Sequence, residues 1–470
     1  MKVFSIYKAL KTSYSISVLI VFVFGINITF SQSQKISKEK LWADIDTLSR
    51  TINDIHPNMF ANISKKEFEA QLEKIKASID TSLTPLEFYD LTMPLIVLLR
   101  DGHTVLQLPT NILNDSTQKL LPLILKITND TTITIEYNLS PQKELPPVGS
   151  TIKSLNGVSA KELIKTGLTY SDGEMMFFRY RKLAWIFTPL MLFHYKFESF
   201  KITYNYKDRC DSTTLDGTSY KKMFKGNIQE EKGALYSFKI LKDSIGYINF
   251  LSFKNLSEFK VFSDSVFNIL QKKRIKNLII DIRYNGGGSS KLGDELFQYI
   301  SPVPFQQWGQ VTIKYSKERH DFYKDHVREY FLPDISDSAL NILVGNKPYG
   351  SLETEPADSL IRLRNNPLRF TGNVYLLTSN FTFSSAASFA WTFKYFNMGV
   401  VVGEETGESV VNFGDIIYQF LPNTGLQYSV SHKKFYQYGA TDNDFHGTIP
   451  DIIVPEQDAL TFTIGLIMKK

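Results

Sequence analysis

Between Ser237 and Ile300 short apolar strands alternate with amphipathic helices, and this alternation limits the possible folds more than any other feature of the chain. Ile245 to Phe250 reads as a strand, Ser257 to Leu270 as a helix, Asn277 to Ile282 as a strand apolar at successive positions, and Leu292 to Ile300 as a second helix. A strand apolar on both faces must be covered on both faces, as in a mainly parallel sheet packed between helices. The pattern pauses over residues 301–370, which carry six prolines and mixed charge and read as an insertion or lid. It resumes at Gly372 and runs to Pro455, so the expected class is α/β with its core in residues 233–470.

The rest of the chain is patterned differently. Leu41, Ile45, Leu48 and Ile52, then Phe68, Leu72 and Ile75, then Phe88, Leu91, Leu95 and Leu98 recur at helical spacing. They predict three helices within an N-terminal helical domain over residues 35–110, the third kinked at Pro94. Residues 118–215 change to short strands. The passage Val148-Gly-Ser-Thr-Ile-Lys-Ser-Leu-Asn-Gly-Val158 and the helix after it resemble the second half of a PDZ domain. An ordinary hairpin subdomain is the competing reading.

Residues 1–34 stand apart. Lys2, Lys8 and Lys11 precede the apolar run Val18 to Ile26 and the polar stretch Ser31 to Gln34, the order of a secretory signal peptide. The apolar run is shorter than a bilayer span, which favours cleavage over a retained anchor. Export to the periplasm or the extracellular space is therefore expected, with peripheral membrane contact left open. Removing this segment takes away three lysines and no acid, which brings the net charge of +5 to about +2 and leaves no reason to expect a nucleic-acid partner. With one cysteine, Cys210, no intrachain disulfide can form, and the 470 residues must be held by their core.

Chemistry is concentrated at four places. In Thr382-Phe-Ser-Ser-Ala-Ala-Ser-Phe-Ala390 two serines stand where the strand Val374 to Thr378 gives way to a helix. One of them either caps that helix or serves as a nucleophile whose small neighbours admit a substrate. Asn285-Gly-Gly-Gly288 follows a buried strand and opens a helix. It lacks the Lys-Ser/Thr ending of a phosphate-binding loop, which leaves a tight turn or an oxyanion hole. Asp442-Asn-Asp-Phe-His-Gly-Thr-Ile-Pro-Asp451 places acids before a turn. Of seven histidines, His103 lies among small polar residues between a helix and a strand. No cysteine pair or HExxH supports a metal, and no cofactor is expected.

Asp281-Ile-Arg-Tyr-Asn-Gly-Gly-Gly288, Val374-Tyr-Leu-Leu-Thr-Ser379 with Ser385-Ala-Ala387, Val400-Val-Val-Gly-Glu-Glu-Thr-Gly407 and Gly447-Thr-Ile-Pro-Asp451 occur in the order and spacing of the tail-specific, or C-terminal processing, proteases. Asp101-Gly-His-Thr104 and the PDZ-like passage fit the same layout. The superfamily includes the tricorn protease core and the interphotoreceptor retinoid-binding proteins. The resemblance implies a crotonase-like α/β core bearing a serine hydrolase site. Carried over by position, it implies Ser385 as nucleophile, His103 as base, Asp444 as the acid that orients it, and the backbone N–H groups of Gly287 and Ala386 as oxyanion donors. Members with a Ser/Lys dyad carry the lysine about 25 residues after the serine; Glu404 to Val410 contains none, which favours Ser/His. Asp444 is one methylene shorter than the usual acid, and Glu405 and Asp442 are the alternatives. The expected function is an exported serine endopeptidase acting on a peptide or protein. A catalytically silent binder of peptides or apolar ligands on the same fold is the rival.

Overall fold

The computed structural model describes residues 34–109, 115–140, 142, 144–223, 234–330, 335–345, 347–357 and 359–469. Apart from Gln34, the leader expected over residues 1–34 lies outside them. The described chain opens with α1 (Lys38–Ile55), α2 (Lys65–Ser78) and α3 (Pro85–Val97), followed by the short strand β1 (Val105–Leu106). Ser64 and Thr84 each accept the backbone N–H three residues on, while Glu67 and Glu87 reach back, so α2 and α3 both begin with reciprocal capping boxes. Pro94 lies inside α3.

A second unit follows: β2 (Leu123–Ile127), β3 (Ile133–Asn138), β4 (Thr151–Leu155), β5 (Val158–Ser159), α4 (Ala160–Gly167), α5 (Met176–Phe193), β6 (Ser199–Tyr206) and β7 (Arg209–Asp216). Its strands pair in the order β2-β3-β4-β6-β7, with β5 beside β4, and every pairing is antiparallel. Inward residues Ile133, Ile135, Ile152, Leu155, Phe200 and Ile202 join Leu41, Ile45, Phe88 and Leu95 of the helices in one continuous apolar core. The helices and this sheet are therefore held by shared burial rather than by a linker.

The remaining elements are β8 (Tyr236–Leu241), β9 (Ile245–Phe250), α6 (Leu256–Lys272), β10 (Asn277–Asp281), α7 (Lys291–Ile300), β11 (Trp308–Lys314), α8 (Lys317–Tyr330), α9 (Asp337–Val344), β12 (Leu352–Pro356), β13 (Asn373–Thr378), α10 (Ser385–Tyr395), β14 (Val400–Gly403), β15 (Val411–Phe420), β16 (Gln427–Gln437), β17 (Ile452–Ile453) and α11 (Glu456–Met468). One sheet runs β17-β14-β13-β10-β9-β8, parallel throughout except for the antiparallel edge strand β8. Its strands are apolar on both faces for a visible reason. Leu278, Ile280, Val374 and Leu376 meet α6, α7 and α10, while Ile279, Tyr375 and Leu377 meet α11 on the other side.

Residues 301–370 supply β11 and β12 to another sheet, in the order β1-β16-β11-β12 with β15 beside β16. Strand β16 is its axis. It pairs with β15 along its length, with β11 at Lys433 to Gln437, and with β1 at Tyr428 and Ser429. The β1 pairing ties the end of the N-terminal helices to the C-terminal half of the chain, and it carries His103 with it.

Candidate active site

Ser384 stands between β13 and α10 with φ 54° and ψ −133°. A non-glycine residue rarely adopts this conformation and it must be held by its surroundings. The loop leaving β13 is clamped to the loop leaving β10: Ser379 Oγ donates to the Arg283 carbonyl, Thr382 Oγ1 to the Ile282 carbonyl at 3.0 Å, and the Phe383 N–H to the Asn285 carbonyl at 3.1 Å. Asn285 is fully buried and fixes the glycine turn, accepting the Gly287 N–H at 2.8 Å and donating to the Phe250 carbonyl. Gly287 has φ +96°, and a Cβ there would lie 2.7 Å from Ser384 Cβ and 2.9 Å from the Ser385 nitrogen. The glycine is needed because the serine turn occupies that space.

His103 reaches this turn from the other end of the sequence. Asp101 accepts the His103 N–H at 2.8 Å, the Thr104 hydroxyl at 2.6 Å and the Ser431 hydroxyl at 2.7 Å. His56 Nε2 lies 3.2 Å from Asp101, and because His56 Nδ1 accepts the Asn58 N–H, it is Nε2 that donates. Burial would raise the pKa of Asp101, but the hydrogen bond and charge of His56, the charge of His103 and the Thr104 bond bring it down to about 2. Ser429 Oγ donates to the His103 carbonyl. So fastened, the imidazole lies 4.8 Å from the Phe383 ring, with Nε2 3.1 Å from Ser384 Oγ. Burial lowers the pKa of His103, against the opposing charge of Asp101, which keeps the ring neutral and basic at neutral pH.

The other nitrogen of His103 faces Glu408: Nδ1 and Oε1 are 3.3 Å apart but out of hydrogen-bonding alignment. Glu408 is 1% exposed. Its backbone is seated by the Gly407 N–H, which donates to the Thr382 carbonyl at 2.8 Å, and a Cβ on Gly407 would lie 2.5 Å from the Asn380 carbonyl oxygen. Burial, followed by the charges of Glu174 and Asp101, holds the Glu408 carboxyl well above its ordinary range.

This arrangement differs from the expected one at four positions. Ser385 Oγ donates to the Gly288 carbonyl at 2.6 Å, while the adjacent Ser384 meets His103. The reason is the turn itself: Ser385 is the first residue of α10, and the strained residue before it projects away from the helix. Asp444 accepts from Thr441 N–H and Oγ1 at 2.7 and 2.9 Å and faces His446, so it closes its own loop rather than orienting His103. The two alternatives are also engaged elsewhere, Asp442 by Tyr436 and Lys434 and Glu405 by the Gly447 N–H. Of the expected oxyanion donors, the Gly287 N–H is taken by Asn285 and the Ala386 N–H by the Phe383 carbonyl at 3.1 Å. Among the described residues, the N–H groups of Ser385 and Gly288 have no acceptor. Lys394 donates to the Ile449 carbonyl and pairs with Asp451. Nothing local in Glu404-Glu-Thr-Gly-Glu408 singles out its third glutamate from the other two. Its place beside His103 follows from how the loop after β14, with Thr406 buried, closes on the serine turn. Among the described residues no three His, Cys, Asp or Glu side chains gather as a metal ion would require.

The mixed α/β fold and the family to which its core is similar define the class, a serine-type peptidase. Residues 244–454 match the model of peptidase family S41, in keeping with the resemblance to the tail-specific protease superfamily. Among solved structures, mature CPAF is 12% identical with a TM-score of 0.64, the match covering 92% of this chain and 96% of that one. CPAF complexed with lactacystin is 12% identical at a TM-score of 0.62, covering 92% and 97%. The photosystem II D1 C-terminal processing protease is 14% identical at a TM-score of 0.41, covering 90% and 94%. At these identities the likeness to CPAF is one of fold.

Proposed function

We propose that this chain is an exported serine endopeptidase in which Ser384 is the nucleophile, His103 the base and Glu408 the group that orients the base. The observation that carries this reading is the strained turn at Ser384 with its Oγ 3.1 Å from His103 Nε2. For Nε2 to accept a proton, the neutral ring must carry its hydrogen on Nδ1, the nitrogen that faces Glu408. His103 then takes the Ser384 proton as Oγ attacks a peptide carbonyl carbon. The carbonyl oxygen becomes an oxyanion held by the N–H groups of Ser385 and Gly288. The imidazolium passes its proton to the leaving amine, and a water activated by the same ring hydrolyses the acyl-enzyme.

In this reading the β17-β14-β13-β10-β9-β8 sheet with its helices is the crotonase-like core, and β2 to β7 with α4 and α5 is the PDZ-like unit that presents a peptide. The leader-like composition of residues 1–34 supports export. The test is fluorophosphonate labelling of the mature protein with the adduct mapped by mass spectrometry. An adduct on Ser384, absent from Ser384→Ala and kept in Ser385→Ala, is expected. A folded protein that neither labels nor hydrolyses a peptide ester would overturn the proposal and leave the silent-binder reading.

A further inference from the structure

Phe178, Arg181 and Trp185 lie on one stripe of α5, at the i, i+3, i+7 spacing, and each meets a loop that carries the candidate site. Arg181 Nη2 donates to both oxygens of Glu456 at 2.6 and 2.7 Å, and the hydroxyl of Tyr284, next to Asn285 in the glycine turn, donates to the same carboxylate at 3.1 Å. Trp185 packs on Phe381 with ring centres 4.4 Å apart. Phe178 stacks on Phe383 with centres 4.5 Å apart and planes inclined by 5°. Phe178, Phe381 and Phe383 form a buried apolar cluster of their own, separate from the cores that hold the sheets.

The Phe178–Phe383 pair touches the chain beside each of the three residues assigned to the reaction. Phe383 immediately precedes Ser384, and its ring lies 4.8 Å from the His103 imidazole. Gly102 immediately precedes His103, and a Cβ there would lie 2.6 Å from Cζ and 3.2 Å from Cε2 of Phe383. Gly407 immediately precedes Glu408, and a Cβ there would lie 2.6 Å from Cδ2 of Phe178. Neither glycine has a positive φ, so what excludes a side chain is the rings and, at Gly407, the Asn380 carbonyl as well. With Phe178 and His103 both packed on it, the Phe383 ring has little freedom to swing aside.

We propose that Phe178 is a positioning residue of this site: with Phe383 it forms a rigid spacer that sets the separation of the segments carrying Ser384, His103 and Glu408. The proposal rests on the Ser384–His103–Glu408 reading of the site. Hydrogen bonds pull these segments together, and a stacked pair of flat rings limits how closely they approach, because aromatic rings do not compress and have few rotamers. Phe178 is 4% exposed and Phe383 8%, so the pair offers a substrate almost no surface. Its effect therefore falls on the alignment of Ser384 Oγ with the imidazole, and so on kcat rather than on KM.

The test is peptide-ester hydrolysis and fluorophosphonate labelling of the full mature protein, beside thermal melting, in the wild type, Phe178→Leu, Phe178→Ala, Gly102→Ala, Phe383→Leu, Gly102→Ala/Phe383→Leu and Ser384→Ala. Phe178→Ala is expected to lower kcat about ten-fold or more with KM within about three-fold, and Phe178→Leu, which keeps much of the volume, to lower it less. Gly102→Ala, whose methyl meets only the Phe383 ring at a clashing distance, should label about ten-fold or more slowly. Phe383→Leu removes the colliding ring atoms, so the double variant should label faster than Gly102→Ala alone, a non-additivity that a general loss of packing does not produce. Variants that melt earlier but keep the wild-type kcat, or a double variant no faster than Gly102→Ala, overturn the spacer and leave Phe178 an ordinary core residue. If Phe178→Ala does not fold, Phe178→Leu and the Gly102 series decide. Labelling that survives Ser384→Ala, or a folded wild type that does not label, overturns the underlying reading of the site and this proposal with it.

Discussion

His103 Nε2 lies 3.1 Å from Ser384 Oγ although 281 residues separate them in the chain. The contact exists because β1 pairs with β16 and Asp101 pins the turn between α3 and β1 to Ser431. His103 and Ser384 are thus brought together by two different sheets, and neither sheet alone contains both.

Replacing one serine of the pair separates their roles. Ser384→Ala is expected to remove activity by roughly four to six orders of magnitude, as is His103→Ala, because the two act as a unit. Ser385→Ala loses only the bond to the Gly288 carbonyl, about 1 kcal/mol of stability, and keeps a labelled Ser384. Peptide-ester hydrolysis beside thermal melting decides this. The reverse pattern would restore Ser385 as the nucleophile.

The acids divide in the same way. Glu408→Gln is expected to slow acylation by roughly 10²- to 10⁴-fold, since an amide neither stabilises the imidazolium nor enforces the needed tautomer. Asp444→Ala should slow it by less than about five-fold, because its carboxylate only braces Thr441 in its own loop. Equal losses in the two variants would refute the assignment.

Gly287 tests the serine turn from outside. At φ +96°, with Ser384 Cβ 2.7 Å from the added methyl, Gly287→Ala must displace the strained turn. A loss of about 1 to 3 kcal/mol in urea unfolding is expected, with labelling reduced further than stability. A fully labelled variant would mean that the turn tolerates movement.

Asp101 makes stability depend on acid pH. Its folded pKa, about 2, lies below its ordinary 3.8, so the folded state binds the proton less readily than the unfolded chain. The stabilisation is complete above about pH 4 and is lost as pH falls towards 2, amounting to roughly 2 kcal/mol. Asp101→Asn should abolish that part of the acid dependence and destabilise the protein near neutrality, since an amide cannot accept all four donors. Urea titrations at several pH values measure both effects. Activity falls at a different point. The burial-lowered pKa of His103 places the acid limb of labelling below the ordinary histidine value of 6.5.

How far the chain could be read in advance depended on the range of the interactions involved. The strands Ile245 to Phe250 and Asn277 to Ile282 and the three leading helices were legible, because periodic burial is written in neighbouring residues. So were the glycine turn and the histidine motif, whose residue types suit few other purposes. The choice between Ser384 and Ser385 was not legible: adjacent residues share composition and context, and only the backbone torsion at the strand end turns one towards the histidine. Nor was the choice among Glu405, Glu408, Asp442 and Asp444, since which carboxylate faces Nδ1 depends on how the loop after β14 closes over the serine turn.

The sequence by itself determined the α/β class, the order of its elements and the residue types available for chemistry, all consequences of local propensity and periodic burial. Only the tertiary structure decided which serine, which acid and which N–H groups stand together. Those choices follow from strand register, from loops clamped to one another, and from the burial of Glu408 against His103.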